Sequence, residues 1–148
     1  MIKIYGDIML DRWVYGTCDR VSPEAPILVM KEDEYTYSIG GAGNLATNLA
    51  SISDNVQLYS CVAKDKEGNK LQELLNKTNI NCYIEDDAEM TTTKTRFVGQ
   101  GGQQVMRWDR ERLYTEDTII EKLIDQLGSN DIVCISDYAK GTVKVNTV

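Results

Sequence analysis

The sequence predicts an α/β domain: a parallel sheet with flanking helices, carrying a small antiparallel β-sheet appended to it. Three observations lead there. From residue 40 onward, β-prone runs alternate with amphipathic helical runs, the order that builds a parallel sheet. Two further segments, about residues 12–39 and 91–108, read as hairpins that do not fit this alternation. The chain has 148 residues, 42% apolar and 26% charged, enough for one globular domain with a sizeable core.

The elements follow in order. Ile2-Lys3-Ile4-Tyr5-Gly6-Asp7 is a short β-prone run that ends by delivering a carboxylate to the edge of a sheet. Asp11 to Glu34 holds both prolines, Pro23 and Pro26; Ile27–Met30 and the alternating Glu34–Ile39 around it suit two short antiparallel strands with one wet face. Gly40-Gly41-Ala42-Gly43-Asn44 opens a helix, with Leu45, Leu49 and Ile52 at helical spacing and Ala46 and Ala50 beside them. Val56–Val62 reads as a strand, Lys66–Thr78 as a helix with Leu71, Leu74 and Leu75 inward, and Cys82–Ile84 as the next strand. Thr91–Val98, the turn Gly99–Gly102 and Gln104–Trp108 form the second hairpin. Thr115 caps a third helix, with Glu116 and Asp117 in its first turn and Ile119, Ile120, Leu123, Ile124 and Leu127 inward; Gly128 ends it. Ile132-Val133-Cys134-Ile135 is continuously apolar, the pattern of a central parallel strand covered on both faces.

Composition removes several classes of function. There is no histidine, which excludes Ser-His-Asp and Cys-His nucleophile systems and any His-ligated metal. Cys18, Cys61, Cys82 and Cys134 form no C-x-x-C pair, so local zinc motifs and thioredoxin chemistry are excluded too. The formal net charge of −7 disfavours nucleic acid as a partner. No apolar run is long enough to span a membrane, and the N-terminus lacks a signal-peptide pattern, so a cytoplasmic protein with reduced thiols is expected.

Four segments could carry chemistry. Gly41-Ala42-Gly43-Asn44-Leu45-Ala46 fits a dinucleotide fingerprint, with Asp65 near the spacing of a ribose-binding acid, but the run before it alternates and reads as half exposed. The same glycines also suit a closely packed helix entry, or a polar ligand held at a helix N-terminus beside Asn44. Asp7 and Asp11 suit capture of sugar hydroxyls, because each carboxylate offers two acceptor oxygens; acids that cap turns look alike. Lys94, Arg96, Arg107, Arg110 and Arg112, with Gln103 and Gln104 among them, form a basic patch that suits one phosphate group or a solvated face paired to Glu111 and Asp109. Ser136-Asp137-Tyr138-Ala139-Lys140-Gly141 follows a parallel strand, where open α/β sheets bind ligands; an ordinary strand-end turn is the alternative. Trp13 and Trp108 are expected to pack within the hairpins, and no G-x-x-x-x-G-K-[ST] run occurs.

Together these segments resemble the ribokinase/PfkB sugar-kinase family. The resemblance runs through Gly6–Arg12, Arg20–Pro26, Gly40–Asn44 with Asn48–Ala50, Thr92–Arg96, Gln103–Glu111 and Ser136–Gly141, nearly the whole chain. Ser22-Pro23-Glu24-Ala25-Pro26 and Ser136–Gly141 look most like the branch that phosphorylates D-glycero-D-manno-heptose 7-phosphate, in heptose precursor synthesis for lipopolysaccharide. The resemblance implies a ribokinase-like fold whose two hairpins form a β lid, often the dimer interface. It implies that Asp7, Asp11, Gly41 and Asn44 hold sugar hydroxyls. Lys94, Arg96, Gln104 and Arg107 become lid-side candidates for the sugar's phosphate, while Asp137 and Lys140 lie near the phosphoryl-transfer site. The family's cofactors, ATP and Mg, come with it.

One departure is large. Family chains are about twice this long, and their second half carries a Gly-Ala-Gly-Asp anion hole and the catalytic aspartate. No Gly-x-Gly-Asp run occurs here. The expectation is therefore a single truncated domain over residues 1–148, with no catalytic residue assigned and little kinase activity alone. A non-catalytic sugar-phosphate-binding or assembly module is the competing class. The last apolar strand would be an unpaired edge, which predicts an oligomer.

Overall fold

The computed structural model describes residues 1–116 and 118–144. Eight strands and three α-helices follow in the order β1 (Ile2–Gly6), β2 (Ile8–Val21), β3 (Leu28–Gly41), α1 (Ala42–Ala50), β4 (Val56–Ala63), α2 (Lys66–Leu75), β5 (Asn81–Ala88), β6 (Thr93–Val98), β7 (Gln104–Arg110), α3 (Thr118–Asp125) and β8 (Ile132–Ser136). A 3-10 turn at Gln100–Gly102 joins β6 to β7. They form two four-stranded sheets, ordered β5-β4-β1-β8 and β3-β2-β6-β7.

The first sheet is parallel throughout. Side chains alternate across a strand, so neighbouring residues serve opposite faces. Ile4 and Leu58 meet α1 and α2 on one face, packing with Ala46, Leu71 and Leu75. Tyr5 and Tyr59 meet α3 on the other, packing with Ile119 and Leu123. The buried Lys3 bonds to the Gln126 carbonyl and pairs with Asp131 at 3.1 Å, joining β1 to the start of β8.

The second sheet is two antiparallel hairpins joined by a parallel pairing of β2 with β6. Its first hairpin is longer than the sequence suggested: β2 and β3 each run 14 residues. Pro23 and Pro26 lie in the turn between them, where a missing backbone donor leaves no ladder bond unmade.

Three expectations about burial are corrected. The strand buried along its whole length is β4, while β8 lies at the sheet edge with Ile132, Val133 and Ile135 exposed. β4 hides this in sequence because Gln57 and Ser60 are polar, yet both find partners. Gln57 accepts from the Tyr59 hydroxyl, and Ser60 Oγ receives the Ile8 amide and donates to the Gly6 carbonyl. In α1 the fully buried positions are Ala42, Gly43 and Ala46, Leu45 and Leu49 pack half-buried against the same core, and Ile52 beyond the helix is 80% exposed. A Cβ at Gly43 would overlap Ile39, so this helix approaches its neighbours through its smallest residues. Ile124 and Leu127 are likewise exposed, and Trp108 lies on the outside of its hairpin. Asp117, expected in the first turn of the third helix, lies outside the described residues. No helix among the described residues is long and apolar enough to cross a membrane.

Two outcomes follow. Leu71→Ala, at a fully buried position, should lower stability to urea by about 2–5 kcal/mol, whereas Ile52→Ala should stay within about 0.5 kcal/mol. The Asp131 carboxyl is held down to about 2 by the Gly128 amide and by Lys3. A depressed carboxyl stabilises the fold above its ordinary value of 3.8 and loses that contribution as pH falls toward 2. Asp131→Asn should therefore flatten the acid limb of the stability curve between those values while the neutral-pH region keeps its slope.

Candidate functional site

The chain first crosses from one sheet to the other through one residue, Asp7, between the end of β1 and the start of β2. The crossing leaves an open cleft of about 260 Å³ between the second sheet, the start of α1 and the loop after β8. Register explains which side chains line it. Asp11 pairs with Ser38 and Lys94, and Trp13 pairs with Arg96, so these residues share one face of the second sheet. Met9, two residues before Asp11, shares that face and lines the cleft as well.

The charges on this face are ordered. Arg96 Nη1 donates to Asp11 Oδ1 at 2.6 Å, and its guanidinium lies 4.8 Å from the centre of the Trp13 ring. A charge-assisted hydrogen bond and a cation–π contact hold the same group from two sides. The Lys94 ammonium lies 5.7 Å from the centre of the Tyr138 ring, and among the described residues it makes no ion pair. Glycines end β3 beside these residues. A Cβ at Gly40 would overlap the Asp11 carboxylate, and Gly41 has φ +60° with its missing Cβ directed at the Asp7 carbonyl. That carbonyl accepts from the Ala42 amide at 2.8 Å, fixing the start of α1, where Asn44 is exposed on the cleft.

The structure thus brings five sequence candidates together: Asp11, Gly41, Asn44, Lys94 and Arg96. It separates the others. Asp7, expected to meet a sugar hydroxyl, is 1% exposed, and its carboxylate accepts the amides of Tyr138, Lys140 and Thr142 at 2.7, 3.1 and 3.0 Å. Arg107 lies opposite Arg96 on β7 but is half exposed and paired with Asp109 at 3.0 Å. Gln104 lies further along, opposite Val98 and beyond a β-bulge. Asp137 is exposed and accepts the Ala139 amide, and Lys140 pairs with Glu111 at 2.7 Å. Arg110 and Arg112 pair with Glu67 and Glu89, so the basic patch of the sequence divides into a cleft pair and a paired outer set.

Two lining residues carried no role in the sequence reading. Trp13 was expected to pack within its hairpin, yet it supports Arg96 at the cleft. The alternation Met9, Asp11, Trp13 contains that signal once β2 is known to be continuous through residue 21. Tyr138 lines the cleft and donates its amide to the distant Asp7, a contact that no local pattern encodes.

The dinucleotide reading also meets its test. The strand before Gly41 is β3, an antiparallel member of the second sheet, whereas that fingerprint requires a parallel strand of the main sheet. Asp65 caps α2: its carboxylate accepts the Gly68 amide at 2.7 Å and the Thr91 amide at 3.0 Å. Burial raises its pKa, but those amides, the Thr91 hydroxyl and the Arg110 charge together offset burial and hold it below the ordinary value.

The model of the pfkB family of carbohydrate kinases matches residues 1–148. This chain belongs to that family. It is 41% identical to the bifunctional protein HldE of Coxiella burnetii (strain RSA 331 / Henzerling II) over 146 residues, 96% of this chain and 30% of that protein. HldE of Campylobacter curvus is 33% identical over 147 residues, again 96% of this chain and 31% of the relative. Among solved structures, Escherichia coli phosphofructokinase-2 with substrates and products superposes with a TM-score of 0.78 at 18% identity. That match covers 99% of this chain and 47% of the other. Thermotoga maritima ribokinase gives 0.56 at 20% identity, over 74% of this chain and 35% of the other. The fold is therefore ribokinase-like, and the chain spans about a third of the curated relatives and about half of the phosphofructokinase-2 chain.

The pfkB family implies ATP and metal use in general. Among the described residues no group of three or more Cys, Asp or Glu is placed to hold a metal ion, and the chain has no Gly-x-Gly-Asp run.

One expected outcome tests the cleft wall. Gly41→Ala forces a side chain onto φ +60° and toward the Asp7 carbonyl, and should destabilise the chain by about 1–3 kcal/mol in thermal unfolding.

Proposed function

We propose that this chain forms the sugar-phosphate-binding part of a carbohydrate kinase, and that its sugar is a heptose 7-phosphate. The single observation that carries the reading is the Asp11–Arg96 pair, with Lys94 beside it, facing the glycine-rich start of α1 across one cleft. Carboxylate oxygens and helix-end amides accept and donate to hydroxyls, while a guanidinium and an ammonium take a phosphate. Asp11, Gly41 and Asn44 serve the sugar; Lys94 and Arg96 serve its phosphate, with Arg107 and Gln104 further out on the same sheet.

In the whole reaction the γ-phosphate of Mg-bound ATP passes to the anomeric hydroxyl of the heptose, in the cytoplasm, toward lipopolysaccharide heptose. This chain binds and orients the acceptor. The second sheet acts as the lid, and two copies pair through it. The exposed Val21, Leu28, Met106 and Trp108 of that sheet support such a contact. The second reading is a module that binds sugar phosphate without itself turning over ATP.

Titration calorimetry on the full chain with D-glycero-D-manno-heptose 7-phosphate, without nucleotide, tests this reading. Saturable binding is expected, weakened about tenfold or more by Arg96→Ala, the loss typical of one charge-assisted hydrogen bond. ADP release with Mg-ATP added should stay at background. Absence of sugar-phosphate binding, or equal binding of the unphosphorylated heptose, would overturn the assignment.

A further inference from the structure

The loop after β8 borders the cleft, and a residue outside the cleft holds it. Tyr138 and Lys140 donate their amides to Asp7 Oδ2, and Thr142 donates to Oδ1. The donors are alternate residues. Between them, Ala139 adopts φ +56° and Gly141 adopts φ +98°. Positive φ at alternating positions turns successive amides to one side and makes a concavity for an anion. Here the anion is the buried Asp7 carboxylate. Ala139 is the one non-glycine residue at positive φ among the described residues, a conformation that a Cβ disfavours. The flanking amides, both bound to one oxygen, keep it there.

We infer that Asp7 is a positioning residue: it templates the loop from Tyr138 to Thr142 and so sets Tyr138 beneath Lys94 at the cleft. The consequences run in sequence. Thr142 is buried, seated against Cys61 Sγ at 3.5 Å and bonded through its carbonyl to the Tyr5 hydroxyl. The Lys140 carbonyl accepts the Tyr114 amide at 2.8 Å. With the backbone fixed at 138, 140 and 142, the Tyr138 ring is presented to the cleft, where it faces Lys94. The ring restrains the ammonium without neutralising it, which leaves a full positive charge for a ligand anion. Asp7 thus acts on the anion end of the cleft with no contact to the ligand. This rests on the sugar-phosphate reading only for the ligand used in the test.

The test pairs two measurements on the full chain. Hydrogen exchange in Asp7→Asn should speed at least tenfold at the amides of residues 138, 140 and 142, while β1 and β4 amides keep their protection. An asparagine cannot serve all three donors, because either orientation of its amide turns an N–H₂ toward an N–H. Binding of heptose 7-phosphate should weaken about tenfold in Asp7→Asn and in Tyr138→Ala, and the double variant should lose little more than either alone. Tyr138 is half exposed, so its replacement leaves the fold intact if Asp7→Asn does not fold; weaker binding in that variant alone then supports the chain of contacts. Unchanged exchange at the three amides, fully additive losses, or undiminished binding in Tyr138→Ala would each overturn the inference. If the unaltered chain binds no sugar phosphate, the functional reading fails, and the exchange measurement still decides the anchoring.

Discussion

Every part of the cleft depends on how the chain leaves the parallel sheet at Asp7. Its amide donates to the Ser136 carbonyl of β8, its carbonyl accepts the Ala42 amide at the start of α1, and its carboxylate takes three amides of the loop after β8. One buried residue therefore fixes the helix start and the loop, two of the three walls, and ties them to the edge strand. Burying a carboxylate is costly unless hydrogen bonds replace its water, and three charge-assisted bonds do so here. The preceding Gly6 leaves no room for a Cβ against the Ser136 backbone, so the junction has a steric requirement as well as an electrostatic one.

The third wall is the second sheet, whose chemistry is set by register. Alternation places Asp11 and Trp13 on one face of β2, and the parallel pairing with β6 brings Lys94 and Arg96 beside them. Arg96 is held before any ligand arrives, so less conformational freedom is lost on binding. Both members of the Asp11–Arg96 pair are largely shielded from water, which sets it apart from the exposed pairs on α2, where Glu73 meets Lys70 and Lys77.

Much of this was legible in the sequence, for physical reasons that differ from element to element. The order of strands and helices was readable because each helix carries periodic apolar residues and each strand a β-prone run. Asp11 stood out as a carboxylate just past a strand end, and Lys94 and Arg96 as part of a basic patch on an acidic chain; that β2 and β6 bring them together was not legible. The place of β8 was hidden: four consecutive apolar residues look central whether or not a neighbour covers them. Conversely, β4 is central but contains Gln57 and Ser60, whose partners are fixed only by the tertiary fold. The role of Asp7 was unreadable for the same reason, since the amides it binds lie more than 130 residues away along the chain. Whole-chain similarity to pfkB carbohydrate kinases agrees with the elements that were legible and supplies the family that they suggested.

The central claim is that the cleft between the two sheets is where sugar phosphate binds. Chemical-shift mapping on the isotopically labelled full chain, titrated with heptose 7-phosphate, tests it most directly. The account predicts shifts confined to Ser38–Asn44, Lys94–Arg96 and Tyr138, with little change at the groove between Tyr37 and α2 on the opposite face of the second sheet. Shifts centred on that opposite groove, or none at saturating ligand, would contradict it.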